Sequence, residues 1–123
     1  MKPILGRFTE PTYALLRIVA GLLFAFHGVQ KLFGMYGTQV PMLSQAWFAG
    51  VIELVGGVLI AIGFFTSLVA FICSGEMAVA YFQVHAPKNF WPALNGGELA
   101  ALYCFLFLYI SARGGGAWSL DRR

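Results

Sequence analysis

Glu53, Glu76 and Glu98 are three of the five acidic residues in this 123-residue chain, and each lies inside or at the lip of a long apolar run. Arg17, His27 and Lys31 lie the same way within the first run. An ionised side chain in hydrocarbon costs at least ~2.5–3.5 kcal/mol at the centre of a helix, so such groups face one another or water. Carboxyl, imidazole and ammonium groups gathered in that way can hold and pass a proton, or bind the polar atoms of a ligand. Three full negative charges beside one lysine and one histidine would be badly compensated. The expectation is therefore that at least one Glu carries a proton at rest, or that His27 is charged.

Such a centre needs elements to position it. The apolar fraction of 59% and charged fraction of 11% lie far from the ~25% charged residues of a soluble domain. The length admits four membrane helices of ~20 residues each and little else. An all-α, four-helix membrane bundle is expected, built as one domain over residues 1–123, with spans at 13–32, 46–64, 68–84 and 95–111. Thr9-Glu10-Pro11 reads as a helix start, with Thr9 as the capping hydroxyl. Thr66 and Ser67 read as a tight turn after Gly63, and His85-Ala86-Pro87-Lys88-Asn89 as a break. Lys2 and Arg7 precede the first apolar run without a small-residue cleavage site, so that run reads as a retained span.

Four spans place both termini on one side. Lys2, Arg7, Arg113, Arg122 and Arg123 share it, against Lys31 and Lys88 on the other. The positive-inside rule puts that side in the cytoplasm, which implies a multi-pass protein of the bacterial inner membrane surrounded by lipid. Tyr36, Trp47, Phe90 and Trp91 suit the outer interface and Trp118 the inner one. The net charge of +3 is scattered and signals topology, with no nucleic-acid partner. Cys73 and Cys104 sit in separate apolar runs without metal or redox spacing, and read as inert buried thiols.

In the first run Arg17, Gly21, Phe24, Gly28 and Lys31 recur at helical spacing, and so share one face. The glycines permit close helix approach. Gly50, Glu53, Gly57 and Ile60 repeat the pattern in the second run, and Cys73, Glu76, Ala80 and Gln83 share a face of the third. Converging faces would bring His27, Lys31, Glu53, Glu98 and Gln83 into the outer half, with Glu76 beneath. Simpler roles stand beside these. Asn95-x-x-Glu98 matches a capping box. Lys31 can snorkel to the interface. Arg17 reads as structural, paired with Asp121, and His85 as a loop residue at the outer interface. A purely structural Glu–Lys or Glu–His pair is the alternative for Glu53 and Glu76. No Glu-x-x-His spacing of a di-iron bundle is present, and no metal is expected.

The order and spacing of these motifs resemble the DoxX family of small bacterial membrane proteins. The resemblance runs from Leu15 to Asp121. It rests on Leu16-Arg17, Gly28-Val29-Gln30-Lys31-Leu32, Ile52-Glu53-Leu54-Val55-Gly56-Gly57, Gly63 and Thr66, Glu76-Met77-Ala78-Val79-Ala80, Asn95-Gly96-Gly97-Glu98, and Ser119-Leu120-Asp121. It implies a four-helix bundle and membrane redox work of the quinone-linked type, as in oxidation of sulfur compounds or resistance to quinones, catechols and oxidative stress.

The leading expectation is thus a membrane component of a quinone-linked redox system. His27, Lys31 and Glu53 would bind the oxygens of a quinone, Gln83 would line the same site, and Glu76 or Glu98 would relay protons. The chain carries no electron carrier, so a redox partner protein would supply electrons. Two alternatives stand beside it: a non-enzymatic membrane subunit or assembly factor, and a small-solute or proton-coupled transporter acting as a homodimer.

Overall fold

The computed structural model describes residues 1–35 and 39–121, and among these every regular element is helical. Tyr36, Arg122 and Arg123 lie outside the described residues. A single 3-10 turn (Gly6–Phe8) leads into α1 (Thr9–Phe33). Then follow α2 (Gln45–Ile62), α3 (Thr66–Ala80) with a π-helical turn at Tyr81–His85, the short α4 (Pro92–Asn95) and α5 (Glu98–Arg113). Among the described residues three stretches are long and apolar enough to cross a membrane: Gly6–Phe33, Gln45–Ile62 and Thr66–His85.

The pairing follows from small residues and apolar stripes. α1 and α2 cross where a Cβ on Gly57 would lie 2.5 Å from the Ala25 nitrogen, and one on Gly28 would run into the Leu54 nitrogen. Only glycine permits that approach. α3 and α5 form the second pair, fastened by reciprocal bonds: Ser67 Oγ donates to the Ser111 carbonyl (2.6 Å), and Ser111 Oγ to that of Ser67 (2.8 Å). Ser74 Oγ donates to the Cys104 carbonyl. Phe24, Ile60, Cys73, Tyr103, Phe107 and Ile110 form the centre of the buried core between the pairs.

Several local expectations are corrected. Thr9 does not cap α1; its hydroxyl donates back to the Gly6 carbonyl, and Phe8 holds the cap position. α3 begins at Thr66, where a turn was expected. α5 begins at Glu98, three residues later than expected, so the capping box does not form. Asn95 instead ends α4 and ties the loop. It is buried, accepts the Gly97 amide (2.8 Å), and donates to Tyr81 Oη (3.1 Å) and the Asn89 carbonyl (3.0 Å). His85 belongs to the π turn and not to a free loop, with Nδ1 3.2 Å from the Asn95 carbonyl oxygen.

Arg17 and Asp121 do not pair. Arg17 is fully buried and donates to carbonyls of Ile60, Ala61, Gly115, Ala117 and Trp118. Asp121 accepts the amides of Phe65 (2.9 Å) and Thr66 (2.8 Å), and so caps α3. The tail amides of Leu120 and Asp121 donate to the carbonyls of Ile62 and Gly63. The last carbonyls of a helix lack intrahelical donors and form the negative end of its dipole. Arg17 and the tail satisfy them at the end of α2. Both residues bind the tail to the helix ends, through different partners.

Candidate functional site

Glu53 faces the interior from the middle of α2, on the stripe it shares with Gly50, Gly57 and Ile60, and is 1% exposed. Gly50 opens the space for Lys31, since a Cβ there would lie 3.0 Å from Lys31 Cβ. Lys31 Nζ reaches Glu53 Oε2 at 2.6 Å. Lys31 therefore anchors the buried carboxylate; it does not only snorkel.

Glu76, from α3, is half-buried and lines the same cavity as Glu53. No donor from a described residue reaches the buried Glu53 Oε1 or Glu76 Oε1. A buried acceptor left without a donor costs ~1–3 kcal/mol.

Both carboxyls open onto a cavity of about 970 Å³ between the helix pairs. That volume lies near the top of the ~300–1,000 Å³ range of small-molecule sites. Its walls are mainly apolar, with Phe24, Ile52, Ile72, Met77 and Ala100 among them. His27 lines it too and meets Tyr103 edge-on, with ring centroids 6.1 Å apart. At the mouth Gln45 Nε2 donates to Gln83 Oε1 (2.6 Å), beside Ser44 and His85.

The structure thus brings together His27, Lys31, Glu53, Glu76 and Gln83. It leaves out Glu98, which is exposed and does not line the cavity. The buried stripe of α5 is Ala100, Tyr103, Phe107 and Ile110. A residue two positions before Ala100 points to the opposite side of the helix. Sequence reasoning missed Tyr103, whose spacing from Ala100 and Phe107 carries the signal. It also missed Gln45, which the Ser44 cap on the Trp47 amide sets in the first turn of α2.

The arrangement is an apolar slot with an ion pair and a second carboxyl in its wall, able to bind polar ring substituents and to hold a proton. The cavity has aromatic and aliphatic walls and a polar edge formed by Lys31, Glu53, Glu76 and His27. Among the described residues no group of three His, Cys, Asp or Glu is placed to hold a metal ion.

Residues 12–86 match the profile of the DoxX family, which takes in α1 through the π turn and hence His27, Lys31, Glu53, Glu76 and Gln83. A protein of Haemophilus influenzae (strain ATCC 51907 / DSM 11121 / KW20 / Rd), named "Uncharacterized protein", is 45% identical over 121 residues, covering 89% of this chain and 88% of the relative. A Bacillus subtilis (strain 168) protein named "Putative oxidoreductase CatD" is 28% identical over 113 residues, covering 87% of this chain and 82% of the relative. No solved structure matches. With its apolar helices and this match, the chain is a membrane protein of the DoxX family.

Proposed function

We propose that the chain is an integral-membrane component of a redox system, and that it takes a quinone or a similar small amphiphile into the cavity beside Glu53. The observation that carries this reading is the buried Lys31–Glu53 pair, with Glu76 against it, in the wall of an otherwise apolar cavity. The name of the Bacillus subtilis relative, an oxidoreductase, supports the same class of role.

The chain crosses the bacterial inner membrane four times as one domain. The 16 residues of α5 rise ~24 Å, and its serine clamp to α3 supports it as the fourth span. Both termini lie in the cytoplasm, on the side of Lys2, Arg7 and Arg113.

Reduction of a quinone bound in the cavity would take up two electrons and two protons. Phe24, Met77 and Ala100 hold the ring between apolar faces and keep bulk water off it. Lys31 Nζ and His27 orient the ring oxygens. Glu53 and Glu76 hold the proton nearest to them, and Gln45, Gln83 and His85 lead from the carboxyls to the outer surface. Electrons come from a partner protein.

The test is extraction. Protein purified in native-lipid nanodiscs should carry a bound quinone, quantified after solvent extraction. Gly75 lines the cavity, and a Cβ on it meets nothing within 4 Å. Gly75→Leu should therefore fill the cavity without disturbing the backbone, and should strip the quinone. Equal quinone in both proteins would show that the cavity does not hold it.

A further inference from the structure

We infer that the cavity selects its ligand in the hydrogen-donating form: an aromatic diol of the hydroquinone class, in preference to the carbonyl form of the same ring. This rests on the reading that a quinone-class ring occupies the cavity, and assigns which form the carboxyl pair holds.

The polar wall is rich in acceptors. Glu53 is 1% exposed; its Oε2 takes the Lys31 ammonium, and no described donor reaches its buried Oε1. Glu76 Oε1 is buried in the same condition. Among the described residues only the Lys31 ammonium donates to the pair. Any ligand group reaching the pair must bring hydrogen with it. A ring carbonyl brings only lone pairs, so oxygen would face oxygen. A ring hydroxyl donates directly, and a hydrogen bond to a charged acceptor is about twice as strong as one between neutral groups.

The other donors that line the cavity are His27, His85, Tyr103 and the Gln45–Gln83 pair. Lys31 gives one of its N–H groups to Glu53 and is one-third exposed. His27 is half-buried against the Tyr103 edge, and His85 is held by the Asn95 carbonyl. At the apolar end Phe24 and Tyr103 line the cavity, their rings packed on each other with centroids 5.2 Å apart. A ring seated there with one hydroxyl towards Glu53 and Glu76 supplies what the carboxyls lack.

The experiment measures binding to the full chain in lipid nanodiscs under anaerobic conditions. Four probes are compared: tert-butylhydroquinone, tert-butylbenzoquinone, the dimethyl ether of the hydroquinone, and tetraphenylphosphonium. The ether keeps the ring and both oxygens but has no O–H. The hydroquinone should bind about tenfold tighter than the quinone or the ether, the ratio expected for one charge-assisted hydrogen bond. Glu76→Gln, which replaces an acceptor oxygen by a donor amide, should shrink that ratio to about threefold or less. The wild-type ratio decides the matter even if that variant fails to fold. Quinone or ether binding as tightly as hydroquinone, and blocked by Gly75→Leu, would overturn the preference while leaving the quinone-class reading of the cavity intact. Tighter binding of tetraphenylphosphonium would overturn it in favour of a lipophilic-cation site. Absence of any binding sensitive to Gly75→Leu would overturn both.

Discussion

Lys31 Nζ lies 2.6 Å from Glu53 Oε2, and the two side chains are unequally buried: 33% of the lysine is exposed and 1% of the glutamate. Removing either partner therefore has different consequences. Lys31→Met strands a carboxylate in the core, a loss of up to ~3–5 kcal/mol. Glu53→Gln leaves a lysine near the cavity mouth that can extend to the interface, and should cost less. The double variant should recover much of the loss of Lys31→Met. Unfolding in detergent micelles measures all three, and a larger loss for Glu53→Gln than for Lys31→Met would contradict this asymmetry.

Arg17 holds the C-terminal tail against the end of α2, because one planar guanidinium reaches carbonyls on both. Lysine keeps the charge but not the fork. Arg17→Lys should loosen the tail while α1 and α2 stay paired through their glycines. The Leu120 and Asp121 amides, which donate to Ile62 and Gly63, should exchange with deuterium about tenfold faster. Unchanged exchange at those two amides would show that the fork does not hold the tail.

Asp121 caps α3 from across the fold. Desolvation works against its charge, but hydrogen bonds from Thr66 and from the Phe65 amide, with the Arg17 charge behind them, outweigh it. Its carboxyl is held below its ordinary value of 3.8. The folded state thus favours the carboxylate. The contribution is complete above that ordinary value and is lost as pH falls through the lower folded value. Asp121→Asn should cost about 1 kcal/mol at neutral pH, the usual worth of a helix cap. It should also flatten the acid limb of the melting-temperature curve below about pH 4. Parallel curves for the two proteins would show that Asp121 contributes no acid-sensitive cap.

Topology is testable at two exposed positions, Met42 and Leu120. In otherwise cysteine-free protein, Met42→Cys should react with a membrane-impermeant maleimide added to intact cells. Leu120→Cys should react only after lysis. Labelling of position 120 from outside would reverse the proposed orientation.

Much of the site was legible because burying charge in apolar surroundings is costly and helices repeat every 3.6 residues. Those two facts identify Glu53, put it on a face with Gly50 and Gly57, and put Lys31 on a face with Gly28. The α1–α2 contact follows, since glycines at that spacing permit close approach. Glu98 was misread for want of a helix boundary. Its direction depends on where α5 begins, and the residues that end α4 and start α5 are held by Tyr81 and Asn89, from another part of the chain.

The sequence by itself determined an all-helical membrane protein with ionisable groups inside it, because composition and periodicity are properties of the chain alone. Only the tertiary structure decided which oxygen meets which hydrogen. Asp121 and Arg17 were both readable as anchors of the tail. Yet opposite charges near one another in an inferred topology need not touch when backbone amides and carbonyls compete for them. At the end of α2 and the start of α3 the helix termini present just those unpaired groups. Arg17 takes the carbonyls, Asp121 takes the amides, and the ion pair between them is not made.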